Sequence, residues 1–163
     1  MCGIVGIYLK TKKFEKSLGK MLSGMLNNME SRGPDSAGFA IYKNEEKKIF
    51  KYSLCIGDLD FNNFKKEISK KIKKSKLNQY SDHVILKTSI EPKTVIKIIN
   101  NSFPEISLVG YGNSIEIFKQ VGNPKDVVKK FKLDSFSGTH GIGHTRMATE
   151  SAITTDGSHP YST

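Results

Sequence analysis

The chain opens on a strand. Residues 2 to 8, CGIVGIY, form a short apolar and partly β-branched run that reads as a buried strand starting at the N-terminus itself. From Phe14 to Glu30, apolar residues then recur every three to four positions, at Leu18, Leu22, Met25 and Met29 with Met21 and Leu26 in support. That spacing predicts an amphipathic helix whose methionines pack into a core. The helix is expected to stop at Ser31-Arg32-Gly33-Pro34, because Pro34 disfavours helical geometry at Gly33 and cannot itself continue a hydrogen-bonded helix. Ala37 to Tyr42 and Ile49 to Cys55 read as two strands of a hairpin across the polar Lys43-to-Lys48 turn.

The middle of the chain has a different character. Residues 65 to 76, KKEISKKIKKSK, lie in a stretch whose apolar positions Phe61, Phe64, Ile68 and Ile72 follow helical spacing, which predicts an amphipathic helix with a solvated lysine face. Further on, His83 to Ile90 reads as a strand, Thr94 to Phe103 as a helix behind Pro92, Glu105 to Tyr111 and Ser114 to Val121 as strands, and Pro124 to Phe131 as a helix. Residues 58–134 are therefore read as an inserted α/β subdomain, with 1–57 and 135–163 forming the main domain. From Ser137 onward glycine, threonine and histidine become dense, in SGTHGIGHTRMATESAITTDGSHPYST.

A net charge of +10 raises the question of nucleic acid, and the distribution of the charge argues against it. The 26 basic residues are 24 lysines and two arginines, Arg32 and Arg146, and both arginines lie outside the lysine-rich stretches. No arginine or aromatic residue interrupts residues 65 to 76 to read or stack on bases, so a solvated surface is the reading and no nucleic-acid partner is expected. Hydrophobic content of 37% with nine Phe and six Tyr supports an ordered core. No run approaches the roughly 20 apolar residues of a membrane helix. The start, MCGIVGIYLK, lacks the basic region of a secretory signal, so a cytoplasmic location is expected. The two cysteines, Cys2 and Cys55, are too few for a disulfide framework or a cysteine-rich zinc module.

Chemistry concentrates at Cys2. Removal of the initiator Met before a small side chain would leave Cys2 with a thiol and a free α-amine on one residue. The amine has an unperturbed pKa of about 7.7–8.0 and the thiol about 8.5, so a neutral amine can take the thiol proton near neutral pH. Nucleophile and base are then supplied together. Gly3 leaves room for a substrate beside the thiol. Arg146 offers a planar fork that binds a carboxylate in two parallel charge-assisted bonds, which lysine cannot reproduce. His140 and His144 are four residues apart, but Gly141 and Gly143 between them argue for strand or loop, neither they nor His159 have metal-ligand spacing, and no metal is expected in the chain. Cys55 reads as a buried strand cysteine.

Three segments in order, Met1-Cys2-Gly3-Ile4-Val5-Gly6-Ile7, Arg32-Gly33-Pro34-Asp35-Ser36-Ala37-Gly38 and His144-Thr145-Arg146-Met147-Ala148-Thr149, together resemble the class II glutamine amidotransferases. The wording RGPDSAGFAIY and GHTRMATESAITTDGSHPYST is similar above all to the amidotransferase subunit of N-methylglutamate synthase and the glutaminase-like domain of glutamate synthases. The resemblance covers residues 1–42 and 138–163 and leaves the middle block unmatched. It implies an α+β fold, the four-layer αββα sandwich of the N-terminal-nucleophile hydrolases, here incomplete at its C-terminal side. It also implies hydrolysis of the glutamine side-chain amide through a Cys2 thioester, with no cofactor, and ammonia passed to a synthase domain or subunit. Arg146 would hold the substrate α-carboxylate, helped by the Thr149 hydroxyl and the Met147 backbone, with His159 matching a histidine found in that part of the family. Arg32 and Asp35 would pair and order the loop beside Cys2, with Ser36, Gly38 and His144 in supporting positions.

Two family features lack a match. The asparagine-glycine pair of the oxyanion hole and the acidic residue that holds the substrate α-amine are expected downstream of the His-Pro segment, and Asn113 and Asn123 fall in the predicted inserted block. The expectation is therefore an N-terminal fragment, or a site completed by further chain or another subunit. The alternative is a truncated or degenerate domain that serves as a non-catalytic scaffold.

Overall fold

The computed structural model describes residues 2–148, 154, 155 and 157–161. It divides into two compact units, one of residues 1–44 and 117–161 and the other principally of residues 45–116. The first contains a four-stranded sheet in the order β1-β8-β2-β7, with β1 (Gly3–Tyr8), β2 (Ser36–Tyr42), β7 (Ile115–Val121) and β8 (His140–Arg146). Strand β8 pairs antiparallel with β1 on one side and with β2 on the other.

One face of this sheet packs on helices. In α1 (Leu18–Asn27) the side chains of Leu18, Leu22 and Leu26 are fully buried, as their spacing predicts. The single helix expected over 14–30 is shorter in the structure: Lys12–Ser17 and Glu30–Arg32 are 3-10 turns flanking α1. Lys12–Ser17 buries no residue, so nothing there repays the cost of holding α-helical backbone. Helix α4 (Pro124–Phe131) brings Phe131 against Phe39 of β2 and Phe118 of β7, with ring centroids 6.0 and 5.4 Å apart. Phe136 closes this aromatic cluster at 5.7 Å from Phe39 and 5.1 Å from Phe118. The other face carries Ile4 and Tyr8 of β1 and Ile142 of β8, all exposed.

The second unit has its own sheet, in the order β4-β5-β3-β6. Its strands are β3 (Phe50–Cys55), β4 (Lys76–Tyr80), β5 (His83–Thr88) and β6 (Ser107–Gly112), accompanied by α2 (Phe61–Lys71) and α3 (Pro92–Ser102). Tyr52, Leu54, Val84 and Leu86 from the sheet join Phe64 and Ile68 of α2 and Val95 and Ile99 of α3 in one core. The Asp60 side chain caps α2 by accepting from Asn63 N–H at 2.8 Å. Lys65, Lys66, Lys70 and Lys71 are exposed, as expected of a solvated helix face. No described helix is long and apolar enough to cross a membrane.

Two expectations change. The hairpin read from Ala37–Tyr42 and Ile49–Cys55 does not form, because β2 pairs with β8 while β3 pairs with β5 and β6 in the other sheet. Six of the seven β2 residues are buried, so this strand needs neighbours on both edges and a local partner alone would not cover it. The second unit consequently runs from 45 to 116, against the 58–134 read for the inserted block: β3 belongs to it, and α4 does not. Strand β4 was not anticipated. Its sequence, KLNQY, lacks alternation, and it forms a half-exposed edge strand only because β5 offers it a ladder.

Phe39→Ala should destabilise the protein by about 3–5 kcal/mol, because it removes a fully buried ring that touches Phe118, Phe131 and Phe136. Urea unfolding followed by circular dichroism measures this, and a loss below about 1 kcal/mol would contradict the packing described.

Candidate functional site

The register of β8 brings the three sequence motifs together. Gly3 of β1 stands opposite Thr145, and Ser36 of β2 stands opposite Arg146. Side chains alternate across a strand, so His144 and Arg146 of β8 share a face with Ser36 and Gly38 of β2 and with Ile4 of β1. Cys2 immediately precedes Gly3, the first residue of β1 and the partner of Thr145, and its free thiol is exposed. Gly3 packs on the opposite, helical face, where an added Cβ would lie 2.9 Å from Thr145 Oγ1, 3.1 Å from Arg32 Cβ and 3.2 Å from Met29 Cβ. The Thr145 hydroxyl is buried and donates to the Met29 carbonyl at 3.3 Å. The stem of Arg32 therefore backs the strand immediately after Cys2.

The Arg32-to-Gly38 segment grips the backbone of the strand that ends at Arg146. A Cβ on Gly33 would lie 2.5 Å from the Arg146 nitrogen, so only glycine permits this approach. Pro34 makes an isolated parallel bridge to Arg146, and Asp35 N–H donates to the Arg146 carbonyl at 3.2 Å. The Asp35 carboxylate accepts from Ala148 N–H at 2.7 Å, which holds the exit of β8 over the Met147 position. Ser36 is buried, and Met147 is exposed.

Residues 157–161 complete the sheet face. Arg146 Nη1 donates to the Gly157 carbonyl at 2.5 Å, and the same carbonyl accepts from the Tyr161 hydroxyl at 2.9 Å. A Cβ on Gly38 would lie 2.2 Å from the His159 carbonyl oxygen, so the absent side chain lets residue 159 rest on β2. His159 Nδ1 is 3.0 Å from His144 Nε2. The Tyr161 ring stacks edge-on to His159 with centroids 4.6 Å apart, and Lys119 Nζ lies 4.9 Å from the Tyr161 centroid. Thr149 lies outside the described residues.

No protein-family model matches the chain. Two relatives do. It is 41% identical over 166 residues to a protein named glutamine amidotransferase-like protein GlxB from Rhizobium meliloti, covering 100% of this chain and 55% of that protein. It is 32% identical over 174 residues to a putative glutamine amidotransferase from Methanothermobacter thermautotrophicus, covering 99% of this chain and 56% of that protein. Both relatives carry names that describe glutamine amidotransferases. The chain spans about half the length of the relatives it matches.

Several contributors to this site had no sequence signal of their own. Gly157 and Tyr161 lie in the GHTRMATESAITTDGSHPYST segment, yet nothing in their spacing shows that Gly157 would orient Arg146. Lys119 is a strand lysine among 24 lysines and carried no distinguishing mark. Asn123 also needs a corrected account. It belongs to the first unit, not to the inserted block, and its side chain accepts from Lys125 N–H at 2.9 Å while donating to Glu30 at 2.5 Å. Its amide is thus committed to capping α4 and to Glu30.

Burial pushes the His144 pKa down to about 4, with repulsion from His159 and Arg146 acting in the same direction. His159 is lowered too, by burial first and then by Arg146 and Lys119. Both rings are neutral at pH 7, so one donates N–H to the other without adding charge beside Arg146. The unfolded chain protonates His144 near pH 6.5, whereas the folded one holds off until about pH 4. Its contribution to stability is therefore complete above pH 6.5 and is lost as the pH falls from 6.5 to 4. The urea midpoint should drop between pH 7 and pH 5, and His144→Gln should flatten that drop; equal slopes for the two proteins would refute the assignment.

Proposed function

We propose that this chain carries the glutamine-hydrolysing portion of a class II amidotransferase, with Cys2 as its N-terminal nucleophile once Met1 is removed. The observation that carries this reading is the register of β8, which sets Arg146 on the same sheet face as the start of β1 and one step past Thr145, the partner of Gly3. In this reading a nucleophile that brings its own amine would act next to a guanidinium suited to an α-carboxylate.

In this reading the Cys2 amine accepts the thiol proton and the thiolate adds to the carboxamide carbon of glutamine. The tetrahedral intermediate collapses with C–N cleavage, and the ammonium proton goes to the departing nitrogen, which leaves as ammonia. Water then adds to the thioester carbonyl, releasing glutamate and restoring the thiol. Arg146 binds the substrate α-carboxylate, with Thr149 and the Met147 backbone beside it. A guanidinium has five N–H donors, so the bond to Gly157 can aim the fork while other donors meet the substrate. His159, braced by His144, lines the same face without charge. Gly3, Arg32, Asp35, Ser36 and Gly38 shape the surrounding backbone.

We place the fold in the αββα sandwich class of N-terminal-nucleophile hydrolases. The exposed Ile4, Tyr8 and Ile142 support this, since a second sheet laid on that face would bury them. Ammonia would pass to a synthase domain or subunit. One oxyanion-hole donor is worth about 10²–10³ in turnover, so the assay belongs to the full-length protein with its partner.

In that protein, Cys2→Ala should reduce ammonia release from glutamine to background while leaving synthesis from free ammonia intact. Arg146→Lys should raise the KM for glutamine about tenfold or more, because a point charge replaces a bidentate fork. If glutamine serves as sole nitrogen donor equally well after Cys2→Ala, the proposal fails. If the unmodified protein releases no ammonia from glutamine, the scaffold reading takes its place.

A further inference from the structure

We propose that the second unit contains a metal site formed by Cys55, Asp82 and His83, suited to zinc or a similar divalent transition metal. One donor atom from each residue lies within 4.8 Å of the others: a thiol sulfur, a carboxylate oxygen and an imidazole nitrogen. All three residues belong to the second unit, and the proposal does not rest on the amidotransferase reading.

The backbone creates the cluster. Cys55 ends β3 and stands directly opposite His83, the first residue of β5, so their side chains project from the same face of the sheet. Asp82 immediately precedes β5, and its carbonyl accepts from Ile56 N–H at 2.8 Å, which ties the residue after Cys55 to the turn that carries the carboxylate. The Asp82 carboxylate is 3.0 Å from His83 Nδ1. His83 is fully buried, while Cys55 and Asp82 are each partly open to solvent, giving a rigid inner ligand and an outer pair through which an ion can enter.

The donor set selects the ion. Zinc takes thiolate sulfur at about 2.3 Å, imidazole nitrogen at about 2.0–2.1 Å and carboxylate oxygen at about 2.0–2.2 Å, which in a tetrahedron separates the ligand atoms by about 3.4–3.6 Å. The Asp82–His83 separation of 3.0 Å is a little shorter than that value, and rotation of the Cys55 and Asp82 side chains can adjust the donor positions without moving the strands. Calcium and magnesium, which require oxygen ligands, are excluded by sulfur and nitrogen. A thiolate and a carboxylate also neutralise a divalent ion, with neutral His83 as third ligand. Three protein ligands leave a fourth position for water or another small ligand. Sequence spacing hides this site, because Cys55 and His83 are far apart in the chain and belong to no metal-binding motif.

The test uses the full-length, reduced protein titrated with Co²⁺ as a spectroscopic substitute for zinc. One equivalent should bind and produce d–d bands of a tetrahedral ion with a near-ultraviolet thiolate-to-cobalt charge-transfer band, and Zn²⁺ should displace it. Cys55→Ser should abolish the charge-transfer band, and Asp82→Asn should weaken Zn²⁺ binding by more than about 100-fold, beyond the cost of losing an outer-shell partner. Cys2→Ala should leave the spectrum unchanged. Absence of a charge-transfer band in the unmodified protein, or its persistence in a folded Cys55→Ser variant, overturns the site; a band lost in Cys2→Ala instead assigns the metal to the N-terminal cysteine and overturns it equally.

Discussion

The first unit depends on β8. It is the only strand in its sheet that pairs along its length with both β1 and β2 among the described residues, and so it joins the N-terminal run to the Arg32-to-Gly38 segment. Backbone hydrogen bonding fixes that register, and a shift of one residue would turn every side chain of the strand to the other face. Arg146 would then point into the helical layer, and Thr145 would take its place beside Ser36. The packing of Gly33 on the Arg146 backbone and the Asp35 bond to Ala148 N–H hold the strand end where that slip would begin.

Charge acquires a different meaning once its positions are known. Most of the lysines that give the chain its net charge of +10 are exposed, as on α2, and they maintain a solvated surface. The two arginines occupy structurally defined places instead. The Arg32 stem backs Gly3, and Arg146 is oriented by the Gly157 carbonyl. Between Arg146 and Lys119, the His144–His159 contact persists because burial and the neighbouring cations keep both rings uncharged. A charged pair of imidazoles at that place would repel both cations and itself.

Legibility followed the range of the interactions. Local periodicity was enough for α1, where Leu18, Leu22 and Leu26 repeat and are buried, and for α4, whose span of Pro124–Phe131 matches its sequence signal. The glycines of the motifs were legible as places of close backbone approach, as at Gly33 and Gly38. Strand partners were not. The polar connection between β2 and β3 reads equally well as a hairpin turn or as a passage to another sheet, and only the burial demands of β2 decide between them. Edge strand β4 escaped notice for the complementary reason: it buries too little to require an apolar pattern.

By itself, the sequence determined which residue types could do chemistry: a cysteine next to the initiator Met, a guanidinium in a lysine-rich chain, and glycines where backbone must approach backbone. These are properties of single side chains and short segments, and they survive any arrangement of the rest. Tertiary structure alone decided which of them meet. Gly3 faces Thr145, His144 meets His159, and Cys55 meets His83 only through non-local strand pairing and loop packing. Those contacts follow from closing long loops and burying both faces of a strand, which are requirements of the whole chain that no short window of residues can express.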